Sequence, residues 1–393
     1  MTRLWDRGEP LDTLVLRYTA GEDHVLDERL VDYDLQASAA HATMLRGCGY
    51  LKQGELEAIL SGLDRLRASH AAGQWHIAPE EEDCHTAIEQ RLTTLVGEPG
   101  RAIHLGRSRN DQVMAALRLY LKDALADLAA RATAVANALD ALAAEQGDVP
   151  MPGYTHMQRA MRSTVGLWAG GHAAEVRDDA DGLLLARRRA DLNPLGSAAG
   201  YGVPVLSLDR EATTQALGFQ ATHEPVTAVQ LSRGKAEATA LFEASLLAQD
   251  LGRLAADLCL FATSEFGFVS IPSTLTTGSS MLPQKRNPDL FELARGRSSE
   301  AQAALVEVMG ITSRLPSGYH RDLQLIKKPL FRGLDSARDT CEIMAHALPL
   351  VRFLPDRLQA ALDPSLRMVE RAYEIVRDEG LAFRDAYVRA REG

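Results

Sequence analysis

From Ser108 to Gln146 the chain carries no Gly or Pro, and apolar residues return every three or four positions, at Val113, Leu117, Tyr120, Leu121, Leu125 and Leu128. That spacing puts them on one face of a helix. Alanine, the residue that a helix accommodates at least cost, fills about a third of the stretch. The pattern predicts one helix of roughly 58 Å at 1.5 Å per residue. Comparable runs predict long helices over Thr164–Leu192, Ser232–Phe266 and Asn287–Leu315, with a fifth starting near Pro329. Helices this long have more apolar face than a monomer of this size covers, so the pattern implies a bundle completed by further copies of the chain.

Shorter helices are predicted at Asp27–Gly47 and Gln53–Ala71, the latter stopped at Ala72-Gly73, and the C-terminal stretch is broken at Pro355 and Pro364. Alternating β-branched residues are scarce, so no sheet of any size is expected. The reading is all-α, with an N-terminal helical domain over 1–101, a central long-helix bundle over 102–348 and a short helical C-terminal domain over 349–393.

Composition narrows the partners. The 393 residues are 46% hydrophobic and 24% charged, as a globular chain requires. The formal charge of −10 argues against nucleic acid or an anionic membrane as a general partner, so an anionic substrate needs a local basic pocket. Cys48, Cys84, Cys259 and Cys341 are far apart with no CxxC pair, which suits reduced thiols rather than a disulfide or zinc framework. Met1–Arg7 has no apolar run and no later stretch is long and apolar enough to span a bilayer. These features predict a cytoplasmic protein.

Four segments carry candidate chemistry. Gly278-Ser279-Ser280-Met281-Leu282-Pro283-Gln284-Lys285-Arg286-Asn287-Pro288 combines a pliable hydroxyl-bearing loop with a cation, an amide and a proline that can open the next helix. That set suits holding a carboxylate while a proton leaves the neighbouring carbon. His104–Gln112 places Ser108, Asn110 and Asp111 at the start of the long helix, where free backbone N–H groups, Arg107 and Arg109 would attract a carboxylate. Pro152–Ala160 sets His156, read as standing ahead of a helix, beside Thr155 and Gly153. Gly318–Lys327 offers Tyr319, Gln324 and Lys327 to a polar substrate arm.

The loop resembles the signature of the fumarase/aspartase superfamily. His-x-Gly-Arg-Ser-Arg-Asn-Asp-Gln, Gly-Tyr-Thr-His-x-Gln-Arg-Ala, the 193–202 run Asn-Pro-Leu-Gly-Ser-Ala-Ala-Gly-Tyr-Gly and Tyr-x-Arg-Asp-Leu-Gln-x-x-Lys together resemble the argininosuccinate lyase family over nearly the whole chain. The resemblance implies a carbon–nitrogen lyase of arginine biosynthesis that cleaves argininosuccinate reversibly to arginine and fumarate, with no metal or organic cofactor. It also implies a homotetramer whose sites are shared between subunits. Ser279 matches the hydroxyl of the proton-abstracting step, a weak base unless loop N–H groups and Lys285 stabilise its alkoxide. His156 matches the partner acid or base, and Glu292 the carboxylate that holds its imidazole; the assignment of base and acid stays open between Ser279 and His156. Lys285 and Asn287 would face the charge of an aci-carboxylate intermediate. Ser108, Arg109, Asn110 and Thr155 would hold the succinyl carboxylates, and Tyr319, Gln324 and Lys327 the arm. Glu82, Asp83 and His85 match a further family block, as supporting groups or as a helix surface.

Leu105 stands where the family usually has Thr, the Met281-Leu282 order is reversed, and Leu325-Ile326 replaces an acidic pair. Thr19–Asp23 replaces a run whose Ser meets substrate, leaving an anion at Asp23, and Leu366–Ala372 lacks an expected Ala-Thr-Asp run. These departures raise two alternatives: a lyase for another N-substituted aspartate, and a catalytically idle crystallin-like scaffold.

Overall fold

The computed structural model describes residues 12–392, so the reading of Met1–Arg7 lies outside them. The longest predicted helix forms as Arg109–Gln146, and Val113, Leu117, Leu121, Leu125 and Leu128 are buried along it. Tyr120 is half-buried, its ring edge-on to Tyr33 and Phe331. The other long patterns fold as Val165–Ala190, Lys235–Phe261, Asp289–Thr312 and Lys327–Ala347. Local chemistry trims their ends. Gly234, at φ 84°, delays the third helix to Lys235. Thr263 closes its far end, donating to Leu260 O at 2.7 Å and accepting the Phe266 N–H at 3.3 Å.

Towards the N-terminus the helices are Val31–Gly47, preceded by a 3-10 turn at Asp27–Leu30, and Gln53–Ala71, where Glu55 accepts the Lys52 N–H at 2.7 Å. Pro355 and Pro364 each open a short helical segment, where a missing N–H is tolerated. Every sheet among the described residues has two strands. The longest is a hairpin that pairs Pro150–Thr155 with Gln158–Thr164, register shifting between Gly153 and Tyr154. His156 therefore sits in a hairpin turn, not ahead of a helix. Its sequence hides the turn: the flanking strands mix Pro, Arg and Met without alternation, and no Asn-Gly or Asp-Gly marks the tip.

The chain divides into two compact units, Met1–Asp127 with Leu183–Glu243 and Gln302–Leu334, and Leu128–Gly182 with Ala244–Ala301 and Asp335–Gly393. Several long helices contribute residues to both. The first unit holds a small-residue core in which Ala37, Ala115, Leu119, Leu195 and Phe219 pack with Tyr33 and Leu217. The second gathers aromatic rings: Trp168 lies 5.3 Å from Phe353 and 5.9 Å from Phe261, and Phe266 lies 5.1 Å from Phe268. All four cysteines are free. No helix among the described residues is long and apolar enough to cross a membrane.

Candidate active site

In the first unit, Ser108 caps the long helix. Its hydroxyl oxygen accepts the Asn110 N–H at 3.3 Å, and the Asp111 carboxylate accepts the Ser108 N–H at 2.9 Å, a reciprocal box. The N–H groups of Asp111 and Gln112 go to Ser108 O at 3.2 and 3.1 Å. The N–H groups of Ser108, Asn110, Asp111 and Gln112, expected to be open to a substrate carboxylate, are thus bonded within the cap. This helix end retains side-chain donors for a ligand: the Ser108 O–H and the Asn110 amide, which reaches Ala199 O at 3.4 Å.

Asp111 does more than cap. Fully buried, it also accepts the N–H groups of Gly196 at 3.1 Å and Ala198 at 2.8 Å, so the 193–202 segment hangs from the start of the helix. Burial pushes its carboxyl up to about 6 against the pull of those donors. At Gly196 a Cβ would stand 2.7 Å from Arg210 Cγ, so the close approach needs glycine. The residue was legible as a cap; its hold on a segment more than eighty positions away was not.

Arg109 is engaged inside the unit, its Nη2 2.9 Å from Asp83 and 3.3 Å from Glu82. Burial opposes its charge, but Asp83 and Glu82 hold the guanidinium above its ordinary range. Glu82, Asp83 and His85 are all buried, which excludes the helix-surface reading, and His85 Nδ1 lies 3.1 Å from Asp34. Lys327 is also committed. Only 1% exposed, its ammonium donates to Asp27 at 2.6 Å and lies 2.9 Å from Asp23. Burial opposes the ammonium, yet Asp27 and Asp23 push Lys327 well above the usual lysine range. Burial in turn pushes Asp23 up. The anion at Asp23 therefore faces a lysine of its own chain. Tyr319 and Gln324 remain half-buried on the same segment. Leu105 contributes through its backbone, its carbonyl 2.9 Å from His41 Nε2.

The second unit carries the groups assigned to proton transfer. The signature loop is closed at its base by paired backbone bonds, Thr277 N–H to Asn287 O at 3.2 Å and Asn287 N–H to Thr277 O at 2.9 Å. The Asn287 amide adds a 3.5 Å bond to Gly278 O, and Thr277 Oγ1 donates to Asp289 at the start of the following helix. Inside this frame Ser279 Oγ accepts the N–H groups of Met281 at 3.3 Å and Leu282 at 3.1 Å. Two donors aimed at one hydroxyl oxygen favour its anionic form. Lys285, Asn287 and Glu292 line a cleft of about 1010 Å³ together with Cys259, Thr263 and Arg295. Glu292 lies 3.7 Å from Arg295, one helical turn on.

His156 and Met157 form the two-residue tip of the hairpin at φ 52° and 60°, with Thr155 paired to Gln158 below them. Both are exposed, Met157 by 71%. Positive φ is uncommon outside glycine, although histidine is among the residues that tolerate it. His156 and Thr155 line a cavity of about 420 Å³ with Trp168, Asp257, Phe261 and Phe266. Within one chain, then, the imidazole and the Glu292 carboxylate line different cavities.

Asp27, Cys84 and His85 have ligand atoms within 4.8 Å of one another, the one such trio among the described residues. Its members are already engaged: Asp27 by Lys327 and His85 by Asp34, while burial pushes the Cys84 thiol up. A thiol held neutral beside a bound ammonium is a poor metal ligand.

A long-helix all-α fold with a hydroxyl-bearing loop at the head of one helix is the architecture of fumarase-type lyases. A family model described as Lyase matches residues 11–303. The class II fumarase from Schistosoma mansoni superposes with a TM-score of 0.81 at 16% identity, over 95% of this chain and 90% of that one. An argininosuccinate lyase from Sorangium cellulosum (strain So ce56) is 45% identical over 98% of this chain and 89% of that protein. Another from Stenotrophomonas maltophilia (strain R551-3) is 44% identical over 99% and 90%. The chain belongs to the argininosuccinate lyase family.

Proposed function

We propose that this chain catalyses the reversible β-elimination of argininosuccinate to arginine and fumarate. The observation that carries the mechanism is the Ser279 hydroxyl oxygen under two backbone N–H groups, in a loop pinned at Thr277 and Asn287. As an alkoxide, Ser279 takes the Cβ proton of the succinyl moiety. The electron pair moves into the adjacent carboxylate as an aci-carboxylate, which Lys285 faces as a cation. The pair then returns to form the fumarate double bond, the C–N bond breaks, and His156 gives the leaving guanidino nitrogen its proton. Ser108, Asn110, Thr155 and Asn287 hold the succinyl carboxylates, while Tyr319 and Gln324 address the arm. Arg109 and Lys327 fix the backbone that carries these groups.

We infer further that the active form is a cytoplasmic homotetramer in which different chains contribute the hairpin, the loop and the helix cap. That arrangement would bring an imidazole to the Glu292 of another chain. It is supported by large apolar side chains left exposed on the long helices, among them Leu167, Leu184, Phe242, Leu293, Val306 and Met309.

The pairing of Asp23 with Lys327 weakens one of the two reasons to prefer another amine, the other being Leu325-Ile326, since that anion faces a lysine of its own chain. The test is direct. Purified protein mixed with argininosuccinate should show rising fumarate absorbance, with a solution mass of four chains. Turnover confined to other N-succinyl amines would overturn the assignment, and no turnover on any of them would leave the idle-scaffold alternative.

A further inference from the structure

We infer that Gln230 and Arg233 set the spacing between the Ser108–Asn110 cap and the Tyr319–Lys327 segment, and so act as positioning residues for the substrate arm. This rests on the function proposed above. The short helix Val226–Leu231 ends beside both segments. Gln230 Nε2 donates to Asn110 O at 3.2 Å, and one turn on Arg233 Nη2 donates to Leu323 O at 3.3 Å. Asn110 and Gln324, the neighbour of Leu323, are assigned to opposite ends of the substrate. Both bonds end on main-chain carbonyls, so they fix backbone positions and leave the binding side chains free.

The bridge itself is held rigidly. The Arg233 N–H goes back to Gln230 O at 3.2 Å, and Ser232 Oγ accepts Arg118 Nη2 at 2.9 Å. At Gly234 a Cβ would stand 2.5 Å from Thr312 Cγ2, which locks the turn against the helix Asp289–Thr312. Gln230 also backs the 193–202 segment, its Cγ 3.0 Å from where a Cβ at Gly200 would lie.

Stability alone does not account for these two residues. Gln230 is 3% exposed and Arg233 4%, yet Gln230 Oε1 and Arg233 Nε and Nη1 are buried without a hydrogen-bond partner. Such atoms cost folding free energy, and apolar side chains of similar size would avoid that cost. Arg118 lies within electrostatic reach as well: burial pushes it down to about 10, Glu237 opposes that shift and the like charge of Arg233 adds to it. A half-satisfied guanidinium kept beside a like charge is explained by the two carbonyls that the pair holds at a fixed separation.

The experiment uses the full-length protein and the variants Gln230→Met, Arg233→Met and Arg233→Lys. On argininosuccinate, each Met variant should raise KM about tenfold or more while kcat stays within about threefold, the mark of lost substrate positioning. Arg233→Lys retains a donor for Leu323 O and should recover most of that loss. An unchanged KM, a fall in kcat alone, or a Lys variant no better than Met overturns the inference. Amide exchange supplies a second readout, independent of turnover. Either Met variant should raise deuterium uptake about fivefold or more in both 108–112 and 319–326, leaving Gln53–Ala71 unchanged. A rise in one segment only also refutes the inference. If the wild-type protein releases no fumarate from argininosuccinate, the functional reading fails by itself and exchange decides this one.

Discussion

In the first unit the charged residues of the candidate site are paired with one another: half-buried Arg109 with buried Asp83 and Glu82, buried Lys327 with Asp23 and Asp27, buried His85 with Asp34. In the second unit Ser279 and His156 stand on a loop and a turn, and Lys285 is exposed on the same loop. The contrast follows from the two tasks. Recognising fixed carboxylates rewards groups whose geometry is set before substrate arrives. Moving a proton requires groups that reach the reacting carbon and change their own bonding, so they cannot be saturated by internal partners. Substitutions should divide accordingly: turnover without stability in the second unit, stability in the first.

The largest effect is expected at Ser279. Ser279→Ala removes the proposed base but leaves the backbone pairing of Thr277 and Asn287 in place. Turnover should fall roughly 10⁴-fold, the upper range for acid–base groups, with the urea midpoint unchanged. His156→Asn keeps a residue that tolerates positive φ at the hairpin tip, so it removes only the imidazole, and should cost roughly 10²-fold. Equal losses of stability and activity in both variants would break the contrast.

Next comes Lys327→Met, which strands Asp23 and Asp27 as buried carboxylates. Breaking a buried pair in this way costs about 3–5 kcal/mol, read as a lower urea midpoint. Asp27→Asn with Lys327→Met should recover part of it. A Lys327→Met protein as stable as wild type would mean that the lysine is not held as a structural ion pair.

Acid should find the first unit before the second. His41 is buried against Leu105 O, and burial, with help from the charge of Arg107, lowers it to about 3. A depressed folded value means that its contribution is fully present above the unfolded value near 6.5. It is lost as pH falls from there towards about 3. The loss should be on the order of 3 kcal/mol after local relaxation. His41→Gln keeps a donor for Leu105 O without titrating, so its stability should be flatter across that window. Parallel acid limbs in the two proteins would exclude His41 as the source.

Much of this organisation was legible in the sequence, for a physical reason. Helical faces are set by local spacing, so Val113, Leu117 and Leu121 declared the long helix and its buried side. The hairpin was not legible, because a turn built from His156 and Met157 carries none of the glycine or asparagine that usually marks one. The loop chemistry was readable as residue types, and the demand for N–H donors on Ser279 followed from its weak basicity. Partnership was the hidden layer. Arg109 and Lys327 look like free cations in a string of letters, and only the fold shows Asp83 and Asp27 beside them. Gln230 and Arg233 gave no signal, because their role is to hold carbonyls that every residue has.

The smallest effect sharpens the contrast from the side of strain. His156 and Met157 adopt positive φ at a tip that presents an imidazole, whereas Val205 adopts φ 71° as a fully exposed residue. A β-branched residue there is a marked outlier, and this one recovers nothing through packing. Val205→Gly removes a penalty of about 1–2 kcal/mol and adds back roughly 0.5–1 kcal/mol of unfolded-chain entropy. The net gain should be about 0.5–1 kcal/mol in urea, with fumarate release unaltered. Met157→Gly should relax the hairpin tip by a similar amount, yet it frees the backbone that aims His156 and should lower turnover. If both glycine variants leave turnover untouched, the strain at the hairpin tip serves no positioning purpose. If Val205→Gly slows fumarate release, the strained loop after residue 202 belongs to the substrate-handling part of the first unit, and the pre-set geometry there extends further than the buried pairs.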